Sequence, residues 1–175
     1  MGRTVKIHVL TGDGKGKTTT ALGLALSVVY QGMRVLVVQF LKAPESSGEH
    51  FAAPALNPLL TIRPVGRKGF FVQRQEDSPD RIMAQNAFVE ARSEMLGGKY
   101  DMIVLDEVNV AVYMGLLDIE DVLNLIHAKP ENVDLVMTGR YADPRVIEPA
   151  DSVLEMVLVK HHFDMGIPAK EGIEY

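Results

Sequence analysis

The chain has 175 residues, 18 Lys+Arg against 23 Asp+Glu for a formal net charge of −5, and neither cysteine nor tryptophan. With 47% hydrophobic and 23% charged residues it reads as one ordinary globular domain over residues 1–175, a length at which a sizeable core is buried. The lack of cysteine excludes disulfides, thiolate metal sites and a thiol nucleophile. The mild acidity argues against a nucleic-acid partner. The polar start Met1 to Lys6 and the short apolar runs argue against a signal peptide or a membrane partner, so the expected location is cytoplasmic.

Val5 to Leu10 is a short apolar run ending at Thr11-Gly12, which predicts a buried strand entering a glycine-rich turn. Lys17 to Gln31 follows with Ala21, Leu22, Leu24, Ala25 and Val28 at helical spacing and Gly32 as the stop. Arg34 to Phe40 is nearly all apolar, the pattern of a parallel strand covered on both faces. Residues 42–58 hold Pro44, Gly48, Pro54 and Pro58 without periodicity and read as a loop, before a short strand at Leu60 to Arg63. Residues 64–78 read as irregular, and long irregular connections are often binding loops. Ser78-Pro79 opens a helix to Leu96, closed by Gly97-Gly98. Beyond it come a strand at Met102 to Leu105, a helix around Ile119 to Ile126, a strand at Asp134 to Thr138, a short helix at Pro144 to Ala150 and a last strand at Ser152 to Lys160. This alternation predicts a three-layer α/β domain with a mostly parallel sheet of about six strands, whose ligands sit at the carboxyl ends of the strands.

The first strand runs into Thr11-Gly12-Asp13-Gly14-Lys15-Gly16-Lys17-Thr18. This matches the phosphate-loop pattern G-x-x-x-x-G-K-[ST] at every position but the first, where Thr11 replaces glycine. Glycines let successive backbone N–H groups converge on phosphate oxygens, and the helix start adds partial positive charge. Lys17 would spread over the phosphates, Thr18 would reach a magnesium ion with its hydroxyl, and Thr19 completes the run. Lys15 reads either as a second phosphate contact or as a solvated lysine. The strand at 102–105 ends in Asp106-Glu107; one of these acids, with Thr18 and phosphate oxygens, suits the oxygen shell that magnesium prefers. Arg140, Asn109 and Gln39 fall at the same predicted edge. Arg140 is a candidate for phosphate or nucleoside, the other two for ribose hydroxyls or substrate amides.

Gly12 to Thr19, Gln39-Phe40-Leu41-Lys42, Gly48-Glu49, Leu105-Asp106-Glu107-Val108-Asn109, Thr138-Gly139-Arg140 and the ending Lys160-His161-His162-Phe163-Asp164-Met165-Gly166 to Gly172-Ile173-Glu174-Tyr175 resemble, in order and spacing, the P-loop type of ATP:corrinoid adenosyltransferase. The resemblance spans nearly the whole chain, and its C-terminal run is far more specific than the phosphate loop. It implies a fold similar to recombinase-like P-loop proteins. The implied activity moves the 5′-deoxyadenosyl group of ATP to the reduced cobalt of a corrinoid with release of triphosphate. A homodimer and an electron-donating reductase of flavoprotein type are the implied partners. Glu107 becomes a magnesium ligand and Asp106 its water-mediated neighbour. Phe70 resembles the aromatic that approaches the corrin face, and His161, Phe163 and Asp164, with Gln39 and Asn109, are the implied corrinoid contacts. Two features depart from the family pattern: Val72 stands where tryptophan is common, and only ten residues precede Thr11. Both concern the corrinoid pocket, not the ATP site. Two other readings stay open at this point, a P-loop ATPase or kinase and an ATP-dependent corrinoid-binding module without transfer.

Overall fold

In the computed structural model, which describes residues 6–67 and 78–160, the apolar runs become six strands: β1 (Ile7–Thr11), β2 (Val35–Phe40), β3 (Leu60–Val65), β4 (Met102–Asp106), β5 (Asp134–Thr138) and β6 (Ser152–Glu155). They form one sheet in the order β3-β2-β4-β5-β1-β6. Every neighbouring pair is parallel. The three central runs, β2, β4 and β5, are buried at every position, which is why they read as continuously apolar rather than alternating.

Successive residues nevertheless serve different faces. Leu36, Val38, Phe40, Ile103, Leu105, Leu135 and Met137 pack with Phe88 and Met95 of α3 (Pro79–Leu96) and Leu125 of α5 (Ile119–Ala128). Val35, Val37, Met102, Val104 and Val136 pack instead with Ala21, Ala25, Val28 and Val29 of α1 (Lys17–Tyr30). Two cores on opposite faces make the three expected layers. Leu36 and Leu105 are wholly buried, so truncating either to alanine would cost about 2–5 kcal/mol through lost transfer energy and the cavity left behind.

The amino-terminal edge of the sheet is secured by carboxylates that accept from backbone N–H groups: Asp134 from Lys6, Asp151 from Ile7 and Asp101 from Arg34, all at 2.7–2.8 Å. The opposite, carboxyl edge carries Thr11, Phe40, Asp106 and Thr138.

Three elements differ from the sequence expectation. The 42–58 loop contains a helical turn, α2 (Gly48–Ala52), followed by a 3-10 turn at Ala53–Leu56; both are too short to show periodicity. A further short helix, α4 (Val108–Tyr113), follows β4 directly. The last strand stops at Glu155 rather than Lys160, because the chain leaves the sheet to cross the phosphate loop, where Gly14 donates its N–H to the Met156 carbonyl at 2.6 Å. A short helix, α6 (Pro144–Ile147), precedes that strand. Among the described residues no helix is long and apolar enough to cross a membrane.

Candidate functional site

Residues 12–16 leave β1 and turn directly into α1, with Gly16 in the left-handed region at φ 107° and no side-chain cap on the helix. The first-turn N–H groups of a helix lack intrahelical partners. Here no acidic residue occupies that turn, so the helix start presents donors and a partial positive charge to an anion. Lys17 is buried and donates to the carbonyls of Gly12 and Gly14, each at 2.7 Å. Burial lowers the pKa of its ammonium, and the charge of Arg140 acts in the same direction. Gly12 and Gly14 are also required sterically. A Cβ built on them would lie 2.5 and 2.8 Å from the Met156 carbonyl oxygen, distances no side chain tolerates.

Asp106, at the end of β4, is the hub of the site. It is 1% exposed, and its Oδ1 accepts from the hydroxyls of Thr18 at 2.9 Å and Thr138 at 2.7 Å. Its Oδ2 accepts from Gln39 Nε2 at 3.0 Å and lies 3.4 Å from Lys42 Nζ. The strands arrange this by register, since Gln39 on β2 stands opposite Asp106 on β4. A buried carboxylate is tolerated because these donors replace water.

Glu107 turns the chain out of the sheet at φ 61°, its N–H donating to Thr138 Oγ1 at 2.9 Å. Burial pushes its carboxyl up and the Asp106 charge adds to this, against the pull of Lys17, Lys42 and Arg140. The half-buried carboxylate is thus within electrostatic reach of three cations, from α1, from the loop after β2 and from the turn after β5.

Arg140, just past β5, lies against the phosphate loop: its Nη2 donates to the Asp13 carbonyl at 3.3 Å and its Nε is 3.7 Å from the Asp13 carboxylate. Lys15 and Thr19 are exposed. The structure thus brings Gly12, Asp13, Gly14, Lys15, Gly16, Lys17, Thr18, Thr19, Asp106, Glu107 and Arg140 to one edge. Gln39 and Asn109, expected to reach a substrate, are instead buried braces. Gln39 donates to both Asp106 and Glu49, and its Oε1 meets His50 Nε2 at 2.7 Å. Asn109 donates to the Gly139 carbonyl at 3.4 Å. Phe70, Val72, His161, His162, Phe163 and Asp164 lie outside the described residues.

Four participants were missed by the sequence reading: Lys42, Glu49, His50 and Met156. Lys42 donates to Glu49 at 2.9 Å. Burial opposes ionisation of Glu49, and hydrogen bonds from Gln39 and Lys42 outweigh it, holding the carboxyl at about 2. Lys42 and Glu49 stand inside stretches quoted for the family resemblance, which was the available signal; Met156 has none, because its contribution is a backbone carbonyl.

A parallel sheet with a glycine loop between its first strand and helix, and an acid on a nearby strand end hydrogen-bonded to the loop threonine, is a P-loop NTPase-like domain. The more particular assignment comes from comparison with known proteins. The family model described as ATP:corrinoid adenosyltransferase BtuR/CobO/CobP matches residues 3–175. A corrinoid adenosyltransferase of Pseudomonas aeruginosa is 38% identical over 167 residues, covering 95% of this chain and 82% of the relative. Its counterpart in Escherichia coli K12 is 35% identical over 169 residues, covering 97% and 85%, and one in Sinorhizobium sp. is 34% identical over 171 residues, covering 97% and 79%. The chain belongs to the ATP:corrinoid adenosyltransferase family.

Proposed function

We propose that this chain transfers the 5′-deoxyadenosyl group of ATP to the cobalt(I) of a corrinoid and releases inorganic triphosphate. The observation that carries the reading is the family match over residues 3–175, on a fold whose strand ends assemble a site suited to a triphosphate. In this reaction the reduced cobalt of the substrate supplies the electron pair that forms the cobalt–carbon bond. The bond between the 5′ carbon and its oxygen breaks, and that electron pair leaves with the triphosphate. The protein therefore needs no nucleophile, which suits a chain without cysteine. Its tasks are alignment and stabilisation of the charge growing on the leaving group. Lys17, Arg140 and the N–H groups at the start of α1 are read as serving the second task, with Lys15 as an outer contact.

Magnesium fits this donor set, since Thr18, Glu107 and Asp106 offer only oxygen to a hard cation. Thr18 and Glu107 are read as its protein ligands, with Asp106 orienting Thr18 through their 2.9 Å contact. Bound there, magnesium would neutralise charge on the phosphate oxygens. Phe70, His161, Phe163 and Asp164 are read as corrinoid contacts. A homodimer, a flavoprotein-type electron donor and a cytoplasmic location complete the proposal.

Product analysis tests it. Under anaerobic conditions the protein is incubated with ATP, magnesium and chemically reduced corrinoid. A light-sensitive alkylcorrinoid spectrum with stoichiometric triphosphate is expected. Orthophosphate without that spectrum would assign the site to an ATPase instead. Phe70→Ala is expected to slow adenosylation while leaving ATP affinity unchanged, measured by initial rates and calorimetry.

A further inference from the structure

Two tyrosines stand beside the turn that follows β5. Tyr113 at the end of α4 and Tyr141, immediately after Arg140, stack with ring centroids 4.2 Å apart and planes inclined by 29°. Both remain more than half exposed, at 57% and 54%. Aromatic rings of this size are normally drawn inward or to interfaces, where their large apolar faces are covered.

The backbone beneath the pair is costly. Tyr141 has φ 61°, a left-handed conformation that glycine or asparagine adopts far more readily than a bulky residue. Such outliers persist where the surroundings over-determine them, and they cluster at binding and active sites. Here the surroundings are tight. Gly139 has φ 126°, and a Cβ on it would sit 3.1 Å from both Asn109 Cβ and the Val110 nitrogen. The turn after β5 is therefore pressed against the start of α4, so the two elements that carry the tyrosines are held in fixed relation. One residue before Tyr141, Arg140 reaches the phosphate loop through Asp13.

A rigid, solvent-facing aromatic stack next to a triphosphate-holding loop suits a planar ring carried by the same ligand. We propose that the Tyr113–Tyr141 pair is an adenine platform: the free face of the stack takes the purine of ATP while the loop holds the triphosphate. The proposal rests on the reading of the loop as the triphosphate site. It is independent of whether the bound ATP is then used for adenosyl transfer. Stacking on a side-chain ring distinguishes purine from smaller bases by overlap area, so the platform would favour adenine over pyrimidine nucleotides.

Binding measurements on the full chain without corrinoid separate this from other roles. The ligands are MgATP, MgCTP and inorganic tripolyphosphate, titrated by calorimetry into wild type, Tyr113→Ala and Tyr141→Gly. Base–aromatic stacking predicts that each substitution weakens MgATP by about tenfold while tripolyphosphate affinity changes less than about twofold. The preference for MgATP over MgCTP should shrink accordingly. Tyr141→Gly removes the backbone strain as well as the ring, so it should unfold no more readily than wild type, which guards against loss by misfolding. With no tryptophan in the chain, quenching of tyrosine fluorescence by MgATP but not by tripolyphosphate gives a direct optical signature, diminished in both variants. Unchanged MgATP affinity in both variants would overturn the platform. So would equal losses for MgATP and tripolyphosphate, which would mark the pair as structural, or a raised KM for corrinoid with MgATP binding intact. If wild type binds neither MgATP nor tripolyphosphate, the triphosphate reading itself fails. If it binds both but makes no alkylcorrinoid, only the transfer reading fails.

Discussion

The loops that follow β1 and β2 leave the same edge of the sheet and converge on the same carboxylate, yet they are made of different material. The first is short, built on glycines, and offers backbone N–H groups and one buried lysine. The second is long, and what holds it is side chain to side chain: Gln39, Lys42, Glu49 and His50, fastened to each other and to Asp106. A backbone cradle tolerates almost no change at its glycines but is indifferent to many neighbours. A side-chain clamp gives way gradually, one hydrogen bond at a time. The first arrangement suits an invariant ligand group such as a phosphate chain. The second suits a segment that must be aligned with that group while its own surface varies.

If this contrast is right, the largest single effect belongs to the first loop. Lys17→Ala should lower the transfer rate by about 10²–10³-fold, the usual cost of removing one charge-stabilising donor, as read in a stopped assay for alkylcorrinoid. Retained activity would show that the first loop does not stabilise the leaving group through its lysine. Asp106→Asn comes next. It sets an amide among donors from Thr18, Thr138 and Gln39, and a loss of about 10–100-fold in activity or magnesium affinity is expected. Because Asp106 serves both loops, an effect on ATP affinity alone would show that the second loop does not depend on it.

Gly14→Ala should cost about 1–3 kcal/mol in urea unfolding, since its new methyl would meet the Met156 carbonyl. Its ATP affinity should fall with it. The smallest effect is reserved for the clamp. Glu49 is held at about 2 from an ordinary 4.5, so its carboxylate stabilises the fold fully above pH 4.5 and that contribution is lost as pH falls toward 2. Allowing for solvent screening at its open side, the contribution is on the order of 1 kcal/mol. Glu49→Gln should therefore be less stable than wild type near neutrality and approach it in acid. A gap that does not narrow between pH 5 and pH 2 would remove Glu49 from the clamp.

What could be read in advance follows the same division. The phosphate loop, the central strands and α3 were legible because each depends on local spacing: glycines at fixed offsets, continuous apolar runs, and a Ser78-Pro79 start with apolar residues at helical period. The clamp was not, because Gln39 and Asp106 are 67 residues apart and meet only through strand register. Gln39 and Asn109 were correctly placed at the carboxyl edge, yet period cannot tell a polar residue facing out of that edge from one turned under it. The turns at Gly48–Ala52 and Val108–Tyr113 are shorter than two helical periods. β6 ended early for a reason carried by no side chain, the attraction of one carbonyl for the N–H of Gly14.

That last contact bears on how the chain is made. The phosphate-loop motif is synthesised well before the segment to which its glycines are shaped, and Met156 also returns a hydrogen bond to Thr11 at 2.8 Å. A nascent chain still lacking its sixth strand would carry the whole motif without the wall that fixes it. An ordered phosphate loop would then arise only together with the sixth strand, so the motif by itself does not make the site.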